Sequence, residues 1–210
     1  MRSVPKWVLV SSACAPAVLI IGWMVAAALQ GPAYDPAAQT ISVLAAPGGS
    51  GYWVMTGAFI ALGTCHLLTA WGLRPAAAPG RVALAAGGVS ALVVAVVPAP
   101  SSGGSLSHGS VTVLGFTVLA AWPVLAARTG DSVPWALRPL PSLGATAVMA
   151  VGAAWFLFEL HLHGVAGVAE RAVTTLQSVW PFVVALSCLR HSARGAPEVT
   201  KRNDDVTGRR

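Results

Sequence analysis

Apolar residues along the 210-residue chain are gathered into six long runs, and polar residues fall mainly in the connectors between them. The runs cover residues 7–29, 52–73, 82–98, 110–127, 142–160 and 172–189. Each run comes close to the roughly 20 residues that a helix needs to cross the roughly 30 Å hydrocarbon core of a bilayer. Helices are favoured because backbone polar groups in lipid must be bonded within the chain. The pattern therefore predicts an all-α fold, a polytopic transmembrane six-helix bundle that occupies residues 1–190 as one membrane domain.

The connector of residues 30–51 is the longest and has a pattern of its own. Asp35 followed by Pro36 is typical of a helix N-cap and first helical position. Ile41 would then lie on an apolar face opposite Ser42. We expect a short helix here that lies at the membrane surface.

The composition agrees with a membrane protein, because 55% of the residues are hydrophobic and only 10% are charged. A soluble domain of this length could not bury so much apolar surface. The lipid bilayer of the cell membrane is therefore the expected environment. The sequence indicates no oligomeric state.

The net charge of +6 is explained by orientation rather than by nucleic-acid binding. If the N-terminus is cytoplasmic, all of the 13 Lys and Arg residues except Arg171 fall on the cytoplasmic side. This bias follows the positive-inside rule and predicts that both termini are cytoplasmic. Residues 191–210 mix charges with Gly and Pro without periodicity, which predicts a disordered basic cytoplasmic tail. No basic stripe with interleaved aromatic residues is left for nucleic acid.

Several polar residues fall at the outer ends of the predicted spans, where they are candidates for one pocket. This candidate outer pocket consists of Asp35, Gln39, Ser42, His108, Glu170, Arg171 and Gln177. Glu170, Thr174 and Gln177 recur at helical spacing, so a polar stripe is expected to descend about 10 Å from the outer mouth. Polar groups at that depth should face protein or water rather than lipid, which favours a pocket.

Carboxylates and imidazoles in the same region are also suitable ligands for zinc or another transition metal. The metal candidates are His108, His161, His163 and Glu159. No HExxH or comparable signature accompanies them, so a metal ion is an alternative and no cofactor is predicted. A structural interpretation is favoured over the metal site: Arg171 pairs with Glu159 or Asp35 and ties the connectors together.

His66 differs from these residues because it falls well inside the second run, roughly 20 Å from the outer edge of that run. An ionisable residue at that depth is a functional candidate. The alternative is a neutral histidine that is hydrogen-bonded between helices.

Three short motifs stand at the outer ends of the runs: residues 34–45 (YDPAAQTISVLA), His108-Gly109, and residues 167–171 (GVAER). Together with the six-run layout, they resemble the domain of unknown function 998 family of bacterial six-span integral membrane proteins. The resemblance implies one shared outer site made of Gln39, Ser42, His108, Glu170 and Arg171. Val43 stands where the family often has an acidic residue after the serine, so no role of that acid carries over. The resemblance implies no particular reaction.

These observations favour a non-enzymatic integral membrane protein whose outward-facing polar pocket binds a lipid or a small ligand. The alternative is a membrane-embedded hydrolase or metal-dependent enzyme that acts on a lipid-like substrate with the same outer residues. A small-solute transporter is a third interpretation, although beyond His66 the inner half of the runs offers few polar residues.

Overall fold

Six long helices make up most of the structure, a computed structural model that describes residues 4–101, 104–162 and 164–195. They are α1 (Lys6–Gln30), α2 (Tyr52–Gly72), α3 (Ala78–Val96), α4 (Leu106–Ala126), α5 (Pro139–Leu162) and α6 (Ala166–Gly195). All six are long and apolar enough to cross a membrane, judged by length and composition. The predicted all-α fold with six spans is thereby confirmed for the described part of the chain.

The helices form a closed ring in chain order. Each helix packs against the next one, and α6 returns to pack against α1. Short connectors make consecutive helices antiparallel. The hydroxyls of Ser11 and Thr69, for example, are 2.9 Å apart where α1 begins and α2 ends. We call this end of the ring the basic end, and the opposite end, where α1 ends and α2 begins, the site end.

The basic end takes its name from the cations that it carries. These are Lys6, Arg74, Arg81, Arg128, Arg138, Arg190 and Arg194. Arg171 is the described cation at the site end. Charge is thus segregated along the bundle as the sequence predicts, and the side of the membrane that each end faces stays a prediction.

Glycines let α3 approach both of its neighbours closely. A Cβ atom added to Gly63 of α2 would lie 2.6 Å from the carbonyl oxygen of Gly88 in α3. A Cβ atom added to Gly80 of α3 would lie 2.3 Å from the backbone of Ala126 in α4. Because lipid supplies little hydrophobic drive between helices, such close backbone contacts are a main source of packing in a membrane bundle.

The outward faces of the helices are apolar. Leu140 is 80% exposed, Trp53 is 79% exposed and Val96 is 74% exposed. Water-soluble proteins rarely leave large contiguous apolar surfaces uncovered, whereas lipid solvates them. A bilayer is the environment that these faces fit, and the chain is a multi-pass membrane protein.

Several helices extend beyond the apolar runs that predict them. α3 begins at Ala78 and α4 at Leu106, before the expected starts at 82 and 110. α6 begins at Ala166 rather than 172, so Glu170 lies one turn inside the helix. A helix can continue into the polar interface, so the apolar length gives only its minimum extent.

The last helix also changes the expected tail. α6 continues to Gly195, so residues 191–195 are helical rather than disordered. Residues 196–210 of the expected tail lie outside the described residues.

The expected surface helix in the connector of residues 30–51 is wrong in position and in exposure. Asp35 caps a turn, because its Oδ1 accepts a hydrogen bond from the Ala37 N–H at 2.9 Å. The helical segment begins only at Ile41 and is a short 3₁₀ helix, Ile41–Ala45. Ile41 and Ser42 are both buried, so this segment enters the end of the bundle instead of lying on its surface. We call Ile41–Ala45 the mouth helix.

Candidate functional site

A cavity of about 90 Å³, whose wall is mainly apolar with several polar side chains, extends from the mouth helix into the ring. α1, α2, α3, α4, α6 and the mouth helix all contribute to its wall. Its polar lining residues are Ser42, His66, Ser90, Thr112, Glu170, Thr174, Gln177 and Ser178. We call this space the inner cavity.

Glu170 lies at the end of the inner cavity that meets the mouth helix. Its side chain is only 4% exposed, and one carboxylate oxygen accepts a hydrogen bond from the Ile41 N–H. The Ser42 hydroxyl donates to the other carboxylate oxygen at 3.5 Å. The first N–H groups of a helical segment have no partner within the segment. The carboxylate therefore satisfies donors that the buried mouth helix could not otherwise pair.

Arg171, the next residue, holds the connector against α6. Its Nη1 donates to the carbonyl oxygen of Pro36 at 2.8 Å and to that of Gln39 at 3.3 Å. Its Nη2 donates to the Tyr34 hydroxyl. The fork of the guanidinium suits this arrangement because it presents several donors in a fixed geometry.

The expected ion pair between Arg171 and a carboxylate is wrong, although the residue does tie the connector to the bundle. Glu159 instead accepts hydrogen bonds from Trp155 Nε1 at 3.1 Å and from the Val165 N–H at 2.9 Å. Asp35 caps its own turn. Both carboxylates are therefore used locally, and backbone carbonyls take their place beside the guanidinium.

Tyr34 completes the contact between the connector and α6. Its hydroxyl lies 3.0 Å from the carbonyl oxygen of Gln39 and 3.1 Å from that of Thr40, and donates to them. Burial raises the pKa of Tyr34 above its ordinary value, while the hydrogen bond from Arg171 lowers it. A phenol is protonated near neutral pH at its ordinary pKa, and the net rise in pKa acts in the same direction, so Tyr34 is a donor there.

Gly167 lets the start of α6 touch the backbone of the connector. A Cβ atom at this position would lie 2.3 Å from the carbonyl oxygen of Gln39 and 2.5 Å from that of Pro36. One residue later, the Val168 N–H donates to the carbonyl oxygen of Ala37 at 3.2 Å. This contact fixes the height of Glu170 relative to the mouth helix.

A larger groove of about 530 Å³ lies beside the mouth helix at the site end. Its polar lining residues are Gln39, Thr40, Ser42, Ser101, Ser105, His108, Thr112 and Glu170. Ser42, Thr112 and Glu170 line both this site groove and the inner cavity. These three side chains therefore form the boundary between the two spaces.

His108 is fixed in the wall of the site groove at the start of α4. Its backbone N–H donates to the hydroxyl of Ser105, the N-cap of the helix. Its Nδ1 lies 2.8 Å from the carbonyl oxygen of Val97. A carbonyl can only accept, so Nδ1 carries a proton in this contact.

The family described as protein of unknown function DUF998 matches residues 13–187, a range that contains every lining residue of the inner cavity and the site groove. The chain belongs to the DUF998 family. The resemblance that the sequence motifs predict is thereby confirmed. No curated protein and no solved structure matches the chain.

In this DUF998 protein, the site groove brings together Gln39, Ser42, His108 and Glu170. Gln177 lies deeper and lines the inner cavity, where its Nε2 donates to the carbonyl oxygen of Phe116 at 3.0 Å. Asp35 and Arg171 are not among the described lining residues of either space. They shape the connector from which the mouth helix begins.

Three of the four metal candidates each have different contacts. His108 is bonded to Val97, Glu159 caps the turn after α5, and His161 is exposed. Among residues 4–101, 104–162 and 164–195, no group of three or more His, Cys, Asp or Glu residues is placed to hold a metal ion. His163 lies outside the described residues, so the zinc hypothesis stays a prediction.

His66 lines the inner cavity and is only 1% exposed. The hydrogen bond between helices that the sequence favours is not found: within the described part of the chain, its Nδ1 has no partner. The hydroxyl of Thr112, at the boundary with the site groove, also lacks one there. Buried polar atoms are normally paired, so these two are exceptions, as are the side-chain polar atoms of Thr56, Trp122 and Trp180 among the described residues.

Sequence reasoning misses Ser90 and Thr112 as lining residues of this DUF998 protein. Each is a single hydroxyl within an apolar helix, where such groups commonly bond to a carbonyl one turn earlier. Thr117 does so, donating to the carbonyl oxygen of Val113 at 2.8 Å. Nothing in the local sequence distinguishes Thr112, whose hydroxyl has no partner in the described part of the chain, from Thr117.

Proposed function

We propose that this DUF998 protein is a membrane-embedded binding protein that takes the polar group of a lipid or small molecule through the site groove into the inner cavity. The observation that supports this most is that two buried ionisable side chains, His66 and Glu170, line the same cavity.

The size and lining of the inner cavity define the ligand that it suits. Its volume of about 90 Å³ exceeds the roughly 10–15 Å³ that one water needs in a comparable measure. A group of several heavy atoms therefore fits. Glu170 and His66 are the ionisable groups of the described lining, and no Lys or Arg occurs in it. A ligand with ammonium or hydroxyl donors is favoured over an anion.

A small polar reagent should reach the inner cavity. The background for this test has all three native cysteines, Cys14, Cys65 and Cys188, changed to alanine. In that background, the Ser90→Cys variant should react with methanethiosulfonate ethylammonium. The expected rate is at least about tenfold above that of a Ser12→Cys variant, since a thiol buried among apolar groups is inert.

Ser12 is the matched control because it is 0% exposed and is not among the described lining residues of the inner cavity or the site groove. Modification is measured by mass spectrometry of the protein in membranes. Equal rates in the two variants would contradict an accessible cavity at Ser90.

We further propose that the site end faces outward in the cell membrane and that both termini are cytoplasmic. The cations at the basic end support this, because positive residues are retained on the cytoplasmic side. The same cysteine-free background provides the test, with an impermeant maleimide applied to intact cells. Ser50→Cys should react and Thr129→Cys should not; the reverse pattern would invert the topology.

A second candidate function, a membrane-embedded hydrolase, is favoured by the contact between Ser42 and Glu170. The hydroxyl donates to a buried carboxylate, as an activated serine nucleophile requires, and both residues line the site groove. A fluorophosphonate probe should then label the protein, and a Ser42→Ala variant should lose the label. Ser50→Ala, an exposed serine of the same connector, is the matched control. A folded wild-type protein that takes no label would eliminate this candidate.

A further inference from the structure

An apolar crevice of about 410 Å³ lies between α4 and α5. Five alanines line it, together with larger side chains that include Phe116, Phe156 and Leu157. Alanine side chains are too small to fill the space between two helices. The crevice therefore remains open along the faces where α4 and α5 meet.

The crevice is continuous with the site groove. Val113, Phe156 and Leu157 line both spaces, and Thr112 lines the crevice, the groove and the inner cavity. Val113 and Leu157 are each 50% exposed on the outside of the ring. A molecule in the crevice could thus contact lipid on one side and reach the polar groove at one end.

The length of the crevice matches one leaflet of a bilayer. It extends from Thr112 to Ala121 on α4 and from Thr146 to Leu157 on α5. At about 1.5 Å per residue, these stretches are roughly 14 to 16 Å long. Half of the roughly 30 Å hydrocarbon core is a similar distance. A lipid acyl chain spans that depth, with its headgroup at the polar end.

We propose that the ligand is an acyl lipid whose chain occupies the crevice between α4 and α5 while its headgroup enters the site groove. Binding of the headgroup in the site groove rests on the proposed function, whereas binding of the acyl chain rests on the crevice alone. Glu170 and His108 line the headgroup end. They suit a headgroup with amine or hydroxyl donors, such as phosphatidylethanolamine.

Photocrosslinking of the full-length protein in vesicles tests this proposal. The vesicles contain phosphatidylethanolamine with a diazirine in its acyl chain, and crosslinked peptides are expected to fall in residues 112–121 and 146–157. An Ala150→Trp variant fills the crevice and should lower this crosslinking by about tenfold, the effect of losing contact with about two methylene groups. Ala147, exposed on the same helix, is not among the described crevice residues. The Ala147→Trp control should crosslink as the wild type does.

Several outcomes would overturn the proposal. Crosslinks spread evenly over all six helices would do so, as would equal losses in the two tryptophan variants. A disulfide-linked dimer formed through an Ala150→Cys variant in the cysteine-free background would show that a second copy covers the crevice. A diazirine fatty acid, which lacks the phosphoethanolamine headgroup, should crosslink about tenfold less than the diazirine lipid. Equal crosslinking of the two probes would contradict the proposed headgroup contact.

The crosslinking result and the thiol result distinguish the two proposals. Crosslinks in the crevice without reaction of the Ser90→Cys variant would support the acyl-chain site and would contradict binding in the inner cavity. Reaction of Ser90→Cys without crevice crosslinks would support the cavity and overturn the lipid proposal.

Discussion

An Arg171→Ala variant is expected to unfold at a temperature roughly 10 °C below that of the wild type in detergent. The substitution removes the donors to the carbonyl oxygens of Pro36 and Gln39 and to the Tyr34 hydroxyl. Hydrogen bonds to charged groups contribute about 1.5–3 kcal/mol each, and the low end applies because Arg171 is only partly buried, so the three bonds together correspond to a loss of about 4–5 kcal/mol. For a chain of this length, the unfolding temperature falls by about 2–4 °C for each kcal/mol of stability that is lost. Thermal unfolding monitored by tryptophan fluorescence measures the change.

Arg171→Lys separates charge from geometry. Lysine keeps the positive charge but lacks the planar fork, so it should recover only part of the lost stability. Arg194→Ala, an exposed cation at the basic end, is the matched control and should change stability by less than about 0.5 kcal/mol. If Arg171→Ala were as stable as the wild type, the backbone contacts of Gly167 and Val168 alone would hold the connector.

Arg171 also shows where sequence reasoning reaches its limit. Its position next to Glu170, outside the cation-rich end, indicates a special role, and tying the connector is among the predicted roles. The predicted partners are wrong because side-chain chemistry points to carboxylates. Every residue has a backbone carbonyl, so the sequence carries no signal that identifies Pro36 and Gln39 as the acceptors.

The six spans can be predicted because each depends on a local property, the apolar length of a run. The mouth helix cannot, because its depth depends on a hydrogen bond between Ile41 and Glu170, which are 129 positions apart. From its sequence alone, the segment that contains Ser42 is expected to form a helix at the membrane surface. The segment can be buried instead because the Glu170 carboxylate on α6 accepts hydrogen bonds from both the Ile41 N–H and the Ser42 hydroxyl.

The same distinction applies to the residues around the inner cavity. His66 and Gln177 are predictable candidates, because strongly polar side chains inside apolar runs are costly unless they face protein or water. Ser90 and Thr112 are not, since a helical hydroxyl can satisfy itself on its own backbone. The junction of groove, cavity and crevice at Thr112 is therefore a property of the assembled ring.

Substitutions at Glu170 should separate its structural role from its binding role. A Glu170→Leu variant leaves the Ile41 N–H and the Ser42 hydroxyl without their acceptor in a buried position. Each unpaired donor costs about 1–3 kcal/mol, so the unfolding temperature should fall by roughly 5–15 °C. A Glu170→Gln variant has nearly the same shape and keeps one acceptor oxygen for the Ile41 N–H. Its unfolding temperature should therefore stay within about 5 °C of the wild type.

The binding of a donor-bearing headgroup should respond differently to the same two substitutions. Glutamine removes the negative charge of the carboxylate. A charge-assisted hydrogen bond contributes about 1.5–3 kcal/mol. Crosslinking of Glu170→Gln by the diazirine phosphatidylethanolamine should therefore fall at least about tenfold. Glu159→Gln is the matched control, because Glu159 lies at the same end of the bundle but caps the turn after α5. If Glu170→Gln crosslinked like the wild type while Glu170→Leu unfolded early, the carboxylate would serve only to hold the mouth helix. A loss in Glu170→Gln alone, with Glu159→Gln unchanged, would place the headgroup at Glu170.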